Sequence, residues 1–93
     1  MEVRELQRLI KETYFERDWE RGVEKNNLWL VEEVGELTRA IRKGRRPEIE
    51  EEFADVLAWL LSLANVLGVD VEAAFLKKYG GGCPRCGSKP CRC

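Results

Sequence analysis

Leu30-Val31-Glu32-Glu33-Val34-Gly35-Glu36-Leu37 and Ile49-Glu50-Glu51-Glu52-Phe53-Ala54-Asp55-Val56 are two renderings of one pattern. Each opens on an aliphatic residue and sets an acid three places on, followed by an apolar residue. Each then sets a second acid at the sixth place and another apolar residue at the seventh. Ile41 and Leu60 extend the two frames at the same offset. Apolar residues at this spacing line one face of a helix. The stretch therefore predicts two amphipathic helices, each with an acidic pair beside its apolar stripe: Glu33 with Glu36, and Glu52 with Asp55.

Residues three apart on a helix are neighbours, with Cβ atoms roughly 5–6 Å apart. Each pair lies to the same side of its own stripe, taken as Leu30, Val34, Leu37 and Ile41 on the first helix. Packed parallel by those stripes, the two helices would carry their acids on opposite sides of the contact; packed antiparallel, on the same side. The short Lys43–Pro47 connection favours antiparallel neighbours. The first pair precedes Gly44 by as many residues as the second follows it, so the pairs stand level. Four carboxylates so gathered repel one another. A hard cation, Mg²⁺ or Mn²⁺, resolves the conflict because it takes oxygen ligands and keeps waters that phosphates can replace.

Working outward, Val3, Leu6, Ile10 and Tyr14 mark a first helix from about Glu2 to Glu16. Arg17 to Lys25 lacks periodicity and contains Gly22, and reads as a connection anchored by Trp19. Asn26 or Asn27 caps the second helix, Gly44 ends it, and Pro47 opens the third. Acids at Glu48, Glu50 and Glu51 suit that helix's positive end. From Val56 to Leu67 the third helix is apolar nearly all round, which predicts a homodimer or homotetramer assembled through it. Gly68 stops it, and Asp70 caps a fourth helix running to about Tyr79. The expectation is an all-α bundle of about four helices over residues 1–79. A glycine hinge follows at 80–82, then a cysteine-rich tail at 83–93.

Composition narrows the function. The 93 residues carry a net charge of −1, so no bulk field draws the chain to nucleic acid or to an anionic membrane. The charged N-terminus lacks the apolar stretch of a signal peptide, and the Val56–Val69 run is too short to span a bilayer. Both features suit a cytoplasmic protein. There is no histidine, which removes histidine triads and histidine metal sites.

The acidic residues resemble the signature of the MazG-type nucleoside triphosphate pyrophosphohydrolases, E-E-x-x-E, a spacer, then E-x-x-D. Here these are Glu32-Glu33-Val34-Gly35-Glu36 and Glu52-Phe53-Ala54-Asp55. The likeness runs from about Asn27 to Tyr79. It implies a helical protomer that forms dimers or tetramers. It also implies Mg²⁺-dependent cleavage of an NTP or dNTP between the α and β phosphates, giving the monophosphate and pyrophosphate. Carried over, it makes Glu33, Glu36, Glu52 and Asp55 metal ligands, and Glu32 an auxiliary ligand or the catalytic group that orients water. Lys77 is either a phosphate contact or a solvated helix end. Trp19 and Trp29 either stack on a base or belong to the core. Two other readings stand beside this one: a non-catalytic helical oligomer that binds protein or nucleic acid, and a pyrophosphohydrolase of a phosphoribosyl nucleotide.

The tail places Cys83, Cys86, Cys91 and Cys93 in a C-x₂-C, C-x-C arrangement. Four thiolates are the ligand set of a structural zinc ion, with Pro84, Gly87 and Pro90 turning the chain around it; free or redox-active thiols and an iron–sulfur cluster are the other readings.

Overall fold

The computed structural model describes residues 1–93 and contains three helices: α1 (Val3–Lys43), α2 (Arg46–Leu67) and α3 (Val71–Tyr79). The first two expected helices and their connection are one element. The segment Arg17–Lys25 is rich in Arg, Glu and Lys, which favour helix whatever their periodicity. Only Gly22 departs, with φ 85° and ψ 168°, a conformation closed to other residues without strain. Gly22 thus divides α1 into two helical limbs, a one-residue break where a nine-residue connection was expected. Trp19 does not anchor this region to the core: it is 62% exposed and touches Phe15.

The break is pinned from inside. Asn26, fully buried, donates through Nδ2 to the carbonyls of Asp18 and Gly22, each at 2.7 Å. Arg21 Nη1 donates to Asp18 Oδ1 at 2.8 Å and to Asn26 Oδ1 at 2.9 Å. Asn26 is therefore the staple of the break, not the cap of a separate helix.

Gly44 takes the left-handed conformation (φ 73°, ψ 20°) and donates to the carbonyls of Ala40 and Ile41, ending α1. Arg45 is the N-cap residue of α2, whose first turn holds Pro47 and Glu48. So short a turn folds α2 back antiparallel along the second limb. Pairs equidistant from Gly44 then meet: Trp29 and Trp59 stack with centroids 5.9 Å apart and planes 19° apart. The first limb reaches the other end of α2. Gln7 Nε2 donates to Asn65 Oδ1 at 3.1 Å and to the Val69 carbonyl at 2.7 Å. The Val71 N–H donates back to Gln7 Oε1 at 3.1 Å. α3 leaves α2 at 101°, capped by Asp70, and is held to the N-terminus by Arg4, which pairs with Asp70 and Glu72. No single helix is long and apolar enough to cross a membrane.

The seam differs from the expected stripe. Leu30, Glu33 and Leu37 are half-buried and Ala40 is buried, while Val34 and Ile41 are 45% and 52% exposed. α1 is thus rotated so that Glu33 occupies a place in the interhelical contact, and Val34 and Ile41 form an outer apolar face. Phe53, Leu57 and Leu60 form a matching outer face on α2. Only six residues are buried, and three of them (Asp18, Asn26 and Ser62) are polar. The apolar surface of these helices is wider than the hairpin can cover.

Candidate functional site

Glu33 sits three turns before Gly44, and Glu52 and Asp55 sit two and three turns after it. The antiparallel hairpin brings oxygens of these three carboxylates within 4.8 Å of one another. Glu33 and Glu52 are half-buried and Asp55 is exposed. Burial raises the Glu33 carboxyl above its ordinary range, and the charges of Glu52 and Asp55 raise it further. The closeness of the Glu52 carboxylate acts in the same direction. Glu52 Oε2 is buried without a partner. A buried unpartnered carboxylate oxygen is costly, and no cation of the protein reaches it.

The other sequence candidates are placed differently. Glu36 adds to the field at Glu33 but lies outside the group of three. Its carboxylate is half-exposed and 3.9 Å from Arg39 Nη1, a cationic neighbour the acidic motif alone does not announce. Glu32 faces solvent, outside the cluster. Trp29 stands one turn from Glu33 with its ring on Trp59. Trp19 lies on the first limb, exposed. Lys77 is on α3, beyond the end of α2; Asp55 to Leu67 alone spans about 18 Å of helix axis. Within the protomer it does not join the carboxylates.

Two recesses flank the acidic group. One, about 160 Å³, is lined by Tyr14, Asp18, Arg21, Asp55, Ala58, Trp59 and Ser62. The Arg21 guanidinium lies over the Trp59 ring, 4.8 Å from its centroid. On the other side is an open groove of about 280 Å³, where Arg39 and Lys43 face Glu36, Glu48, Glu51 and Glu52. Trp59 and Arg39 are the residues that sequence reasoning missed. Spacing carried the signal, since Trp59 follows Asp55 by one turn and Arg39 follows Glu36 by one turn.

The MazG nucleotide pyrophosphohydrolase domain matches residues 21–87. The chain belongs to the MazG family. The match takes in the second limb of α1, all of α2 and α3, and every carboxylate of the cluster; it ends before Cys91 and Cys93. Among curated MazG relatives, dCTP pyrophosphatase 1 of Rattus norvegicus and of Homo sapiens are each 35% identical, and that of Mus musculus 34%. Each alignment covers 80% of this chain and 52% of the relative. The chain thus spans about half the length of the curated relatives it matches.

The cysteines converge separately. All four sulfurs lie within 4.8 Å of one another. The N–H groups of Arg92 and Ser88 draw the Cys86 thiol down to about 6, and contact with the Cys91 thiol, followed by those of Cys86 and Cys83, pushes Cys93 up to about 11.

Proposed function

We propose that the protein hydrolyses nucleoside triphosphates, NTP or dNTP, between the α and β phosphates, releasing pyrophosphate. The observation that carries this reading is the three-carboxylate group in the helix seam with its unpartnered Glu52 oxygen. An oxygen-only donor set with a buried orphan oxygen fits a hard divalent cation, Mg²⁺ or Mn²⁺. Glu33, Glu52 and Asp55 would hold it, with Glu36 one turn along α1 as a fourth donor. When bound, such a cation supplies neutralisation of phosphate charge and a more acidic water.

The chain's own residues divide the remaining work. Arg39 and Lys43, in the groove beside Glu36 and Glu52, bind phosphate oxygens and draw negative charge off the breaking bond. The recess of Trp59 and Tyr14 takes the base against aromatic faces, while Asp18 and Arg21 offer polar edges to it. Glu32, solvent-facing beside Glu33, is free to take the proton released as water attacks. The names of the relatives make dCTP the first nucleotide to test.

The same reading makes the active species an oligomer, a homodimer or homotetramer. Val34 and Ile41 on α1 and Phe53, Leu57 and Leu60 on α2 leave an apolar surface that a second copy would cover.

The deciding experiment is a pyrophosphate-release screen across NTPs and dNTPs in Mg²⁺ and in Mn²⁺. Release from at least one nucleotide is expected, lost in Asp55→Asn with helix content intact. Turnover undiminished in that variant would remove the carboxylates from the reaction. Absence of turnover with every nucleotide would favour a binding module.

A further inference from the structure

The cysteines form a second convergence of donor atoms, beyond α3 and apart from the carboxylates. Cys83 Sγ lies 3.7 Å from Cys93 Sγ, and Cys86 Sγ lies 4.0 Å from Cys91 Sγ. A disulfide brings its sulfurs to about 2.05 Å, so neither pair is bonded. Thiolates held to one zinc ion at about 2.3 Å and tetrahedral angles sit about 3.8 Å from one another. The sulfur framework therefore has the edge length of a zinc tetrahedron.

The backbone is arranged around it. The N–H of Arg92 points to Cys86 Sγ and that of Cys93 to Cys91 Sγ, each at 3.4 Å. Such donors stabilise ligand sulfurs and fix their orientation. The Cys83 N–H donates to the Ser88 carbonyl at 3.0 Å, and the Gly87 N–H to the Cys83 carbonyl at 2.6 Å. These bonds close a loop that turns Cys83 and Cys86 to one side.

Nothing else in the tail holds this shape. No residue from Gly80 to Cys93 is buried, and none belongs to a helix or strand. Ordering these residues has an entropic cost that no apolar core offsets. A metal ion bound only by the ordered form is the usual substitute for such a core. The tail meets the rest of the chain at Phe75 and Tyr79 of α3, which line a recess with Cys83, Ser88, Pro90 and Cys91.

We propose that Cys83, Cys86, Cys91 and Cys93 bind one zinc ion, and that this ion folds residues 83–93 into a lobe against Phe75 and Tyr79. Four protein ligands leave no open coordination position, so the site is structural and takes no part in phosphate chemistry. Without zinc the lobe opens and the recess it forms with Phe75 and Tyr79 is lost.

The test uses the full chain. Metal analysis is expected to find about one zinc per chain, as a four-thiolate site demands. Co²⁺ in its place is expected to give thiolate-to-cobalt charge-transfer bands with tetrahedral d–d absorption. Cys86→Ser and Cys91→Ser, made separately, are expected to lose the zinc and keep the far-ultraviolet helix signal. Chelation is expected to speed amide exchange in 83–93 and leave that of α1 unchanged. Zinc retained in both variants would overturn the proposal. So would native iron in the site, or two disulfides in protein kept under reducing conditions. None of these measurements reads nucleotide hydrolysis, so their failure leaves the carboxylate site as it stands.

Discussion

At the break in α1, Asp18 and Asn26 are almost wholly buried, and Arg21 bridges them with bonds of 2.8 and 2.9 Å. Seven residues further along the same helix, Glu33 faces Glu52 and Asp55 with no cation of the protein among them. Both clusters put ionisable groups where a helix hairpin ordinarily puts aliphatic ones. The first is neutralised from within and has one unpartnered oxygen, Asp18 Oδ2. Buried polar groups so satisfied fix one arrangement of the backbone. The second is left charged, half-buried and short of a partner, a state that is costly until something positive arrives. The difference between a structural and a ligand-seeking cluster thus rests on one side chain, the arginine that one has and the other lacks.

The comparison is most directly broken at Glu52. Glu52→Gln is expected to lower pyrophosphate release roughly a hundredfold or more, since several kcal/mol of charge stabilisation would go with the lost ligand. Thermal unfolding should change little or improve. A large fall in stability would make Glu52 structural, like Asp18.

Asn26→Ala should do the reverse. It removes an amide bonded to two carbonyls and leaves Arg21 with Asp18 as its one partner, a loss of about 2–3 kcal/mol of stability in chemical denaturation. An unchanged midpoint would mean that Gly22 holds the break unaided.

The pH dependence sharpens the contrast. Because the folded state raises the Glu33 pKa, it binds that proton more tightly than the unfolded chain does. The stability this contributes is complete below the ordinary carboxylate range and is lost as pH rises through the raised value. In chelator, the melting temperature should therefore fall between acid and neutral pH. Glu33→Gln should flatten that fall, and added Mg²⁺ or Mn²⁺ should offset it in the wild type only. The smallest effect is expected from Arg39→Ala, a rise in KM of about a few fold, because its pairing with Glu36 is solvent-exposed and weak.

Much of this was legible in the sequence. The matched acidic frames and the short turn at Gly44 specified antiparallel helices with the pairs Glu33/Glu36 and Glu52/Asp55 level; three of the four converge, and Glu36 lies outside the group. Helix rotation was not legible. Leu30, Val34, Leu37 and Ile41 make a plausible single stripe, but α1 carries more apolar surface than one neighbour needs. Periodicity does not say which part meets α2. That is why Glu33 lies in the seam and Val34 outside it. Nor did composition reveal that Arg17–Lys25 stays helical, because charged helix formers carry no apolar period. The pairing of Glu36 with Arg39 was not legible either, because an acidic motif carries no mark of a cation one turn away.

The two-residue turn after Lys43 acts as a gauge for the carboxylate cluster. Residues that meet across the hairpin are counted off equally from Gly44, so the turn decides which carboxylates become neighbours. One residue added within α2, between Pro47 and Glu52, would advance its acids by about 1.5 Å and turn them by about 100° relative to that turn. Every acid of the motif would remain in the chain, yet none would face its partner. The spacing between the two halves of the motif is thus as much a part of the proposed metal site as the carboxylates themselves.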